Sequence, residues 1–146
     1  MIGHLHHIAY AVRDIRAYFE NFLRPVFSTV EIGEIYDDPI QKVRVAFVSV
    51  GRGPLIELVE PVGERSPVLQ FVGSARGGLY HVCYEVQDLD EELRRLRRQR
   101  CLPLSKPVPA VAFGGQRIVF LMTPQRDLIE LVEASPRRPQ VGDVFV

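Results

Sequence analysis

From His7 to Val12, with a period of two, larger apolar residues alternate with a His and two Ala, so that Ile8, Tyr10 and Val12 share one face and His7, Ala9 and Ala11 the other. This period is typical of a β-strand with one buried face. From Ile15 to Leu23 the apolar residues are instead spaced by three or four, which predicts a helix. Asp14 is placed to cap this helix and Arg24-Pro25 to end it. The chain therefore opens with a strand and a helix.

Three further strands are predicted after this helix, in segments rich in β-branched and aromatic residues. They are Phe27 to Ile35, Lys42 to Val50 and Leu55 to Glu60. Gly51-Arg52-Gly53-Pro54 supplies a turn between the last two. The first half of the chain thus has the order βαβββ.

The second half repeats this order. Asp88 is placed to cap a helix with an apolar stripe of leucines that begins at Leu89. The predicted strands are Tyr80 to Val86, a weaker candidate from Leu104 to Val111, Gln116 to Met122, and Asp127 to Glu133. We therefore predict an α+β fold in one structural domain. Its parts are a first module (1–63), a linker with a short helix from Ser66-Pro67 to Val72 (64–78), a second module (79–134) and a C-terminal tail (135–146).

The two halves also share short stretches of sequence. His7-Ile8-Ala9-Tyr10-Ala11-Val12-Arg13-Asp14 returns as His81-Val82-Cys83-Tyr84-Glu85-Val86-Gln87-Asp88, and the sextet Leu-Ile-Glu-Leu-Val-Glu occurs at 55–60 and 128–133. Each His precedes a Glu by nearly the same distance, from 7 to 57 (50 positions) and from 81 to 130 (49 positions). A duplicated module that keeps one His and one Glu per copy indicates one site shared by both copies.

His7, Glu57, His81 and Glu130 are the predicted metal ligands. Strand alternation lets all four face one surface while their neighbours fill the core. Two carboxylates offset the charge of a divalent cation, and mixed imidazole and carboxylate ligation favours Fe, Co, Ni, Mn or Zn over Ca. In an octahedral shell two positions would stay open for water or substrate. A lone His at a strand start is more often a surface or satisfied core residue than a ligand, whereas a lone Glu in an apolar strand is rarer because burial of an unpaired carboxylate is costly. The matched pairs of both favour ligation.

Other titratable residues near these strands receive different predictions. Alternation places His6 on the face opposite to His7, as a structural or exposed residue. Glu60 and Glu133 are also predicted on that opposite face, toward solvent. Glu85 shares the ligand face of its strand and is an alternative cavity residue.

The segment Glu91 to Arg100 carries five arginines on a predicted helix. We interpret it as a solvated face with Glu–Arg pairs. Its alternative role is contact with a phosphorylated substrate handle.

Composition narrows the classes of function. The 146 residues are 47% hydrophobic and 25% charged with zero formal net charge, which favours neither nucleic acid nor an anionic membrane as partner. No apolar run reaches the roughly 20 residues that span a bilayer, and the N-terminus lacks a signal-peptide pattern. Cys83 and Cys101 fit no disulfide framework or zinc spacing, so Cys83 is expected in the core or cavity wall and Cys101 as a free thiol after a helix. We therefore expect a cytoplasmic protein.

Four stretches of the chain carry a family resemblance, namely His7 to Val12, Val43 to Val48 leading to Ile56 to Pro61, Ser66 to Phe71, and Gly77 to His81. From about His6 to Ala134 the chain resembles the vicinal-oxygen-chelate superfamily, which includes glyoxalase I, bleomycin resistance proteins and extradiol dioxygenases. Within this superfamily its closest resemblance is to the methylmalonyl-CoA epimerase branch.

This resemblance implies paired βαβββ modules that form a curved, incompletely closed mixed β-sheet, and a homodimer. It implies a metal-dependent isomerase that moves the α-proton of a 2-substituted acyl thioester through a metal-stabilised enolate. Glu130 matches the position that is both metal ligand and base, and Glu57 would serve the opposite face of the substrate.

The chain departs from the family pattern around the expected cavity. No acid stands within Val43 to Val48, where some epimerases carry a separate base, and Ala112 to Gln116 lacks a frequent His-Gly pair. The acyl group and its carrier, coenzyme A or a carrier protein, stay open. A glyoxalase I-type lyase and a small-molecule binding or resistance protein are the alternative functions.

Overall fold

The computed structural model describes residues 2–27, 29–72 and 77–135, and within them the chain forms ten strands and a few short helices. The strands are β1 Ile2–Ala11, β2 Val30–Ile32, β3 Tyr36–Asp38, β4 Val43–Val50, β5 Leu55–Pro61, β6 Gly78–Val86, β7 Leu102–Pro103, β8 Val108–Pro109, β9 Arg117–Met122 and β10 Leu128–Glu133. The helices are α1 Ile15–Tyr18, a π-helical segment Phe19–Leu23, α2 Arg24–Val26, α3 Leu69–Val72, α4 Leu89–Arg98 and a 3-10 helix Val111–Phe113.

All ten strands join one open, mixed sheet, which confirms the predicted fold class. Its main path is β2-β4-β5-β1-β6-β10-β9-β7, with β3 also paired to β4 and β8 to β9. The first strands of the two modules, β1 and β6, lie antiparallel at the centre, and β5 and β10 flank them in parallel. The two halves are therefore arranged alike about the β1–β6 pair.

The strand after each helix differs from the prediction. In place of one strand over Phe27 to Ile35, the short strands β2 and β3 both pair with β4. In the second module β7 and β8 pair with β9 in the same way, in place of one strand over Leu104 to Val111. Prolines 103, 107 and 109 lack the N–H that a longer ladder requires, which explains the division in the second module.

Both helix starts are capped by the predicted aspartates. The Asp14 side chain accepts a hydrogen bond from the Ala17 N–H at 2.7 Å, and Asp88 accepts one from the Glu91 N–H at 2.9 Å. The first helix passes through a π-helical segment and ends at Val26, one residue after the predicted stop at Arg24-Pro25.

Glu60 and Glu133 also contact the helix starts, so the prediction that they face solvent is wrong. Glu60 accepts a hydrogen bond from the Ile15 N–H at 2.9 Å, and Glu133 accepts one from the Leu89 N–H at 3.2 Å. A carboxylate at a helix N-terminus pairs with unsatisfied N–H groups and with the positive end of the helix dipole. The last residue of each repeated sextet thus anchors the helix of its own module.

The sheet has two faces, which we name by what they carry. On the helix face, the first helix packs through Ile15 and Phe19 on Ala46, Val48 and Leu58, and α4 packs through its leucines on Val119, Leu121 and Leu131. On the ligand face, small and β-branched residues form two further clusters, one around Ala9, Val45 and Val59 and one around Cys83, Ile118 and Val132. Strand alternation separates the two sets, as the hydrophobic pattern predicts.

The remaining predicted segments are placed as follows. The linker helix is α3, which begins at Leu69 rather than at Ser66-Pro67. Cys101 follows α4 as predicted but is buried in that helix's core, and Cys83 is fully buried. Residues 136–146 of the predicted tail lie outside the described residues. None of the helices that the structure describes has the length and apolarity needed to cross a membrane.

Candidate metal centre

The four predicted ligands meet at one buried point on the ligand face. One ligand atom from each of His7, Glu57, His81 and Glu130 lies within 4.8 Å of the others. The His7 Nε2 atom is 2.8 Å from Glu57 Oε2 and 3.2 Å from Glu130 Oε2, and His81 Nε2 is 2.9 Å from Glu130 Oε2. A single chain supplies all four side chains.

The strand register explains why these side chains converge. Ala9 on β1 lies opposite both Glu57 on β5 and His81 on β6. In the same way, Cys83 on β6 lies opposite both His7 on β1 and Glu130 on β10. Each small residue stands two positions after a ligand histidine, so it leaves room for the longer side chains beside it.

The charges of the cluster are strongly coupled. Burial opposes a charge on His7, but hydrogen bonds and charge interactions with Glu130 and Glu57 outweigh burial and raise the pKa of His7 to about 9. Burial likewise opposes ionisation of Glu130, but the charge of His81 and the hydrogen bonds from both histidines lower its pKa. Without a cation, the site therefore holds a protonated His7 against an ionised Glu130.

The donor set fits a divalent cation better than it fits hydrogen bonding alone. The Nε2 atoms of His7 and His81 are only 3.1 Å apart and both point at Glu130. Glu130 Oε2 nevertheless makes no well-aligned hydrogen bond among the described residues. Lone pairs that converge on one buried point with two carboxylates are the arrangement that a metal with N and O ligands requires.

Aromatic rings that the ligand prediction did not include surround the histidines. Phe47 contacts the His7 ring edge-on with centroids 5.3 Å apart, and Phe120 contacts the His81 ring edge-on at 5.0 Å. Phe113 stacks on His7 at 5.9 Å. Phe47 and Phe120 are 73 positions apart, the offset of the two glutamates, so the duplication carried a signal for them.

Two β-bulges at the centre of the sheet turn extra side chains toward the site. His6 is the extra residue of β1 between the pairs Leu5–Tyr84 and His7–Cys83. Tyr80 is the extra residue of β6 between the pairs Ala9–His81 and Tyr10–Leu79. A bulge interrupts alternation and re-aims the side chain that it inserts.

His6 therefore does not lie on the face opposite to His7, and that prediction is wrong. Its ring contacts both Phe47 and Phe113, and its Nδ1 lies 2.9 Å from His7 Nδ1. Burial and the neighbouring His7 lower the pKa of His6. The equivalent Tyr80 contacts His81 and Phe120, and burial raises its pKa to about 12.

A cavity of about 300 Å³ opens onto the cluster, and both modules contribute to its wall. Glu57, His81 and Glu130 reach it, whereas much of the remaining wall is apolar. A second groove of about 510 Å³ shares Tyr80 and His81 with the cavity. It is lined largely by apolar residues and reaches Arg126. Lys42 and Arg65, both exposed, place positive charge on the cavity wall.

Asp38 is the third carboxylate among the described residues of the cavity wall. Its Oδ1 accepts hydrogen bonds from the N–H groups of Ile40 and Gln41, and its Oδ2 accepts one from the Gln41 amide. Both oxygens thus stabilise a turn. Asp38 is a structural residue of the cavity wall.

Two further segments that the sequence offered as possible cavity contacts, Glu85 and the arginine-rich helix, do not reach this cavity. Glu85 is not among the described residues that line it and instead lies 3.8 Å from His4. The arginine-rich α4 packs on the helix face, opposite to the ligands, where Arg95 pairs with Glu92. Of the two interpretations of α4, the structure therefore favours a solvated helix with Glu–Arg pairs over a contact with a substrate phosphate.

The chain is similar to known proteins over most of its length. The profile of the glyoxalase/bleomycin resistance protein/dioxygenase superfamily matches residues 6–120. An ethylmalonyl-CoA/methylmalonyl-CoA epimerase of Cereibacter sphaeroides is 34% identical over 122 residues, which are 83% of this chain and 89% of that protein. The mitochondrial methylmalonyl-CoA epimerase of Bos taurus is 33% identical over 82% of this chain and 67% of its own.

Solved structures agree with the sequence relatives. The methylmalonyl-CoA epimerase of Mycobacterium tuberculosis superposes with a TM-score of 0.76 at 27% identity, over 92% of this chain and 90% of that one. A methylmalonyl-CoA epimerase in complex with methylmalonyl-CoA and NH4+ superposes with a TM-score of 0.79 at 25% identity, over 93% and 97%.

Proposed function

Because the chain belongs to the glyoxalase/bleomycin resistance protein/dioxygenase superfamily, we propose that it is a metal-dependent isomerase of the methylmalonyl-CoA epimerase type. It would move the α-proton of a 2-substituted acyl thioester from one face of the carbon to the other. The observation that carries this proposal is the convergence of Glu57, Glu130 and two histidines on one buried point that opens into a cavity.

His7, Glu57, His81 and Glu130 would hold a divalent cation of the Co, Ni, Mn, Zn or Fe type. When bound, such an ion withdraws electron density from a carbonyl oxygen and makes the adjacent C–H more acidic. The chain's own part is to orient the acyl group, to exclude water with Phe47, Phe113 and Phe120, and to carry the proton.

Glu57 and Glu130 are the proposed proton carriers. They occupy equivalent positions of the two modules, on strands that flank the central β1–β6 pair from opposite sides. A carboxylate on each side of the α-carbon can remove the proton from one face and return it to the other. Asp38 is unsuited to this role, because both of its oxygens accept hydrogen bonds from the turn that follows it.

The cavity supports an acyl thioester as substrate. Its volume of about 300 Å³ suits a small branched acyl group, and the apolar groove beside it gives a path for a longer thiol arm. Two relatives are named as epimerases of ethylmalonyl-CoA and methylmalonyl-CoA, so these two thioesters are the first substrates to test.

The test is α-proton exchange in deuterated buffer. Metal-saturated protein is incubated with methylmalonyl-CoA, and in parallel with ethylmalonyl-CoA, and deuterium at the α-carbon is followed by proton NMR. At saturating metal, with bound metal assayed in the same sample, Glu130→Gln should slow exchange of the stereoisomer whose α-proton Glu130 removes by about 10²- to 10⁴-fold. Glu133→Gln is the matched control, because it makes the same change three residues later on β10 and leaves the cavity intact.

The outcomes separate the candidate functions. Exchange that needs Glu130 but not Glu133 supports the isomerase. No exchange by metal-saturated wild-type protein on either thioester contradicts it, and conversion of the methylglyoxal–glutathione adduct by the same sample would instead support the lyase.

A further inference from the structure

His6 makes a direct contact with a proposed metal ligand that duplication and alternation did not predict. Its Nδ1 lies 2.9 Å from the Nδ1 of His7, on the side of that ring turned away from the cluster. The β1 bulge brings His6 to this position, and edge-on contacts with Phe47 at 6.0 Å and Phe113 at 5.2 Å hold its ring there.

Only one of the two facing nitrogens can carry the shared proton. If His7 Nδ1 donates to His6 Nδ1, the Nε2 of a neutral His7 is left with its lone pair directed at the cluster. In the opposite arrangement the proton of a neutral His7 is on Nε2, 2.8 Å from Glu57, where it blocks ligation. A partner on the far ring nitrogen is the usual way in which a protein selects the ligating form of histidine.

We propose that His6 is a positioning residue of the metal centre: its Nδ1 accepts the Nδ1–H of His7 and holds the His7 Nε2 lone pair toward the metal. This inference rests on the metal site proposed above. His6 itself touches neither metal nor substrate in this role and acts through His7.

His81, the second proposed ligand histidine, has in the described part of the chain no neighbour equivalent to His6 that bonds to its Nδ1. The Nδ1 of His81 is buried and has no hydrogen-bond partner among the described residues. Tyr80 stands where His6 stands in the first module, and its ring packs edge-on against His81 at 4.9 Å without bonding to Nδ1. The two halves therefore support their histidines unequally, and among the described residues a ring acceptor faces His7 but not His81.

Metal affinity measured by competition with a chromophoric chelator tests the role without reference to catalysis. His6→Leu removes the acceptor but keeps an apolar side chain between the phenylalanines, and it should weaken Co²⁺ or Zn²⁺ binding by about 10- to 100-fold. His6→Asn offers an amide oxygen as acceptor and should recover most of that loss. His4→Leu, at an exposed histidine of the same strand, should bind as the wild type does. The visible spectrum of bound Co²⁺ should change in His6→Leu and return toward the wild-type spectrum in His6→Asn.

Unfolding in the presence of a chelator checks that each variant is folded. Wild-type affinity in a folded His6→Leu variant overturns the proposal, as does an Asn variant that binds as weakly as the Leu variant. Wild-type protein that binds neither metal overturns the metal centre itself, which distinguishes failure of the proposed function from failure of the His6 role.

Discussion

Gly77 lies at the end of the linker, next to β1, and we expect its substitution by alanine to lower the stability of the fold strongly. It has φ of +68°, and a Cβ at this position would lie 2.0 Å from the carbonyl oxygen of Ala11 and 3.1 Å from its carbonyl carbon. Ala11 pairs with Gly78 at the end of the β1–β6 ladder that joins the modules. The Cβ that Gly77→Ala adds therefore clashes with the backbone of β1 at Ala11.

The expected cost has two parts. A Cβ in the left-handed region costs about 1–2 kcal/mol. Relief of the clash requires β1 and the start of β6 to separate by roughly 1 Å, which sacrifices one or two ladder hydrogen bonds worth about 1 kcal/mol each and disturbs the packing beside them. We expect a total loss of about 3–5 kcal/mol in the free energy of unfolding.

Gly51→Ala is the matched control, because Gly51 has φ of +65° but no atom within 4 Å of an added Cβ. It should cost only the conformational part, about 1–2 kcal/mol. Urea unfolding with excess chelator removes any contribution from metal. In thermal scans the two variants should differ by several degrees, at roughly 3–4 °C per kcal/mol for a domain of this size. If the two variants lost the same free energy of unfolding, the clash would be refuted, and so would the close approach of Gly77 to Ala11 on β1.

Two further predictions concern the cluster itself. Since Glu130 and Glu57 raise the pKa of His7 to about 9 in the metal-free protein, a metal must displace that proton, and its apparent affinity should increase about tenfold per pH unit as pH rises toward 9. Titration calorimetry in two buffers would count the released proton, and an affinity that does not change with pH would contradict this. At saturating metal, Glu57→Gln should suppress epimerisation by about 10²- to 10⁴-fold while exchange continues in one stereoisomer through Glu130. This is tested by NMR on each stereoisomer separately. An equal loss of exchange in both stereoisomers would refute the assignment of one carboxylate to each face of the α-carbon.

Internal duplication made the ligand cluster predictable from the sequence. One His or one Glu in a strand is weak evidence, but His7 and His81 recur at nearly the same spacing from Glu57 and Glu130. Strand alternation then places each pair on one face, and the register found in the sheet brings the pairs together.

The contacts of Glu60 and Glu133 were not predictable in the same way. Alternation assigned both correctly to the face away from the ligands, but alternation does not report what covers that face. The helix start that each carboxylate reaches lies about 45 residues earlier in the chain, at Ile15 and Leu89. Their partial burial follows from tertiary packing of helix on sheet, which a local pattern does not contain.

The two bulges in the β1–β6 pair could not be predicted from the alternation pattern of either strand alone. Whether a strand carries an extra residue depends on its partner, and the residues that β1 and β6 pair lie far apart in the sequence, as Ile8 and Val82 do. Both bulges insert the residue just before a ligand histidine, and both turn it to the ligand face. Equivalent positions thus place an imidazole beside His7 in one module and a cavity-wall phenol beside His81 in the other. The proposed metal site is therefore symmetric in its four candidate ligands but not in the residues beside them, since His6 accompanies His7 and Tyr80 accompanies His81.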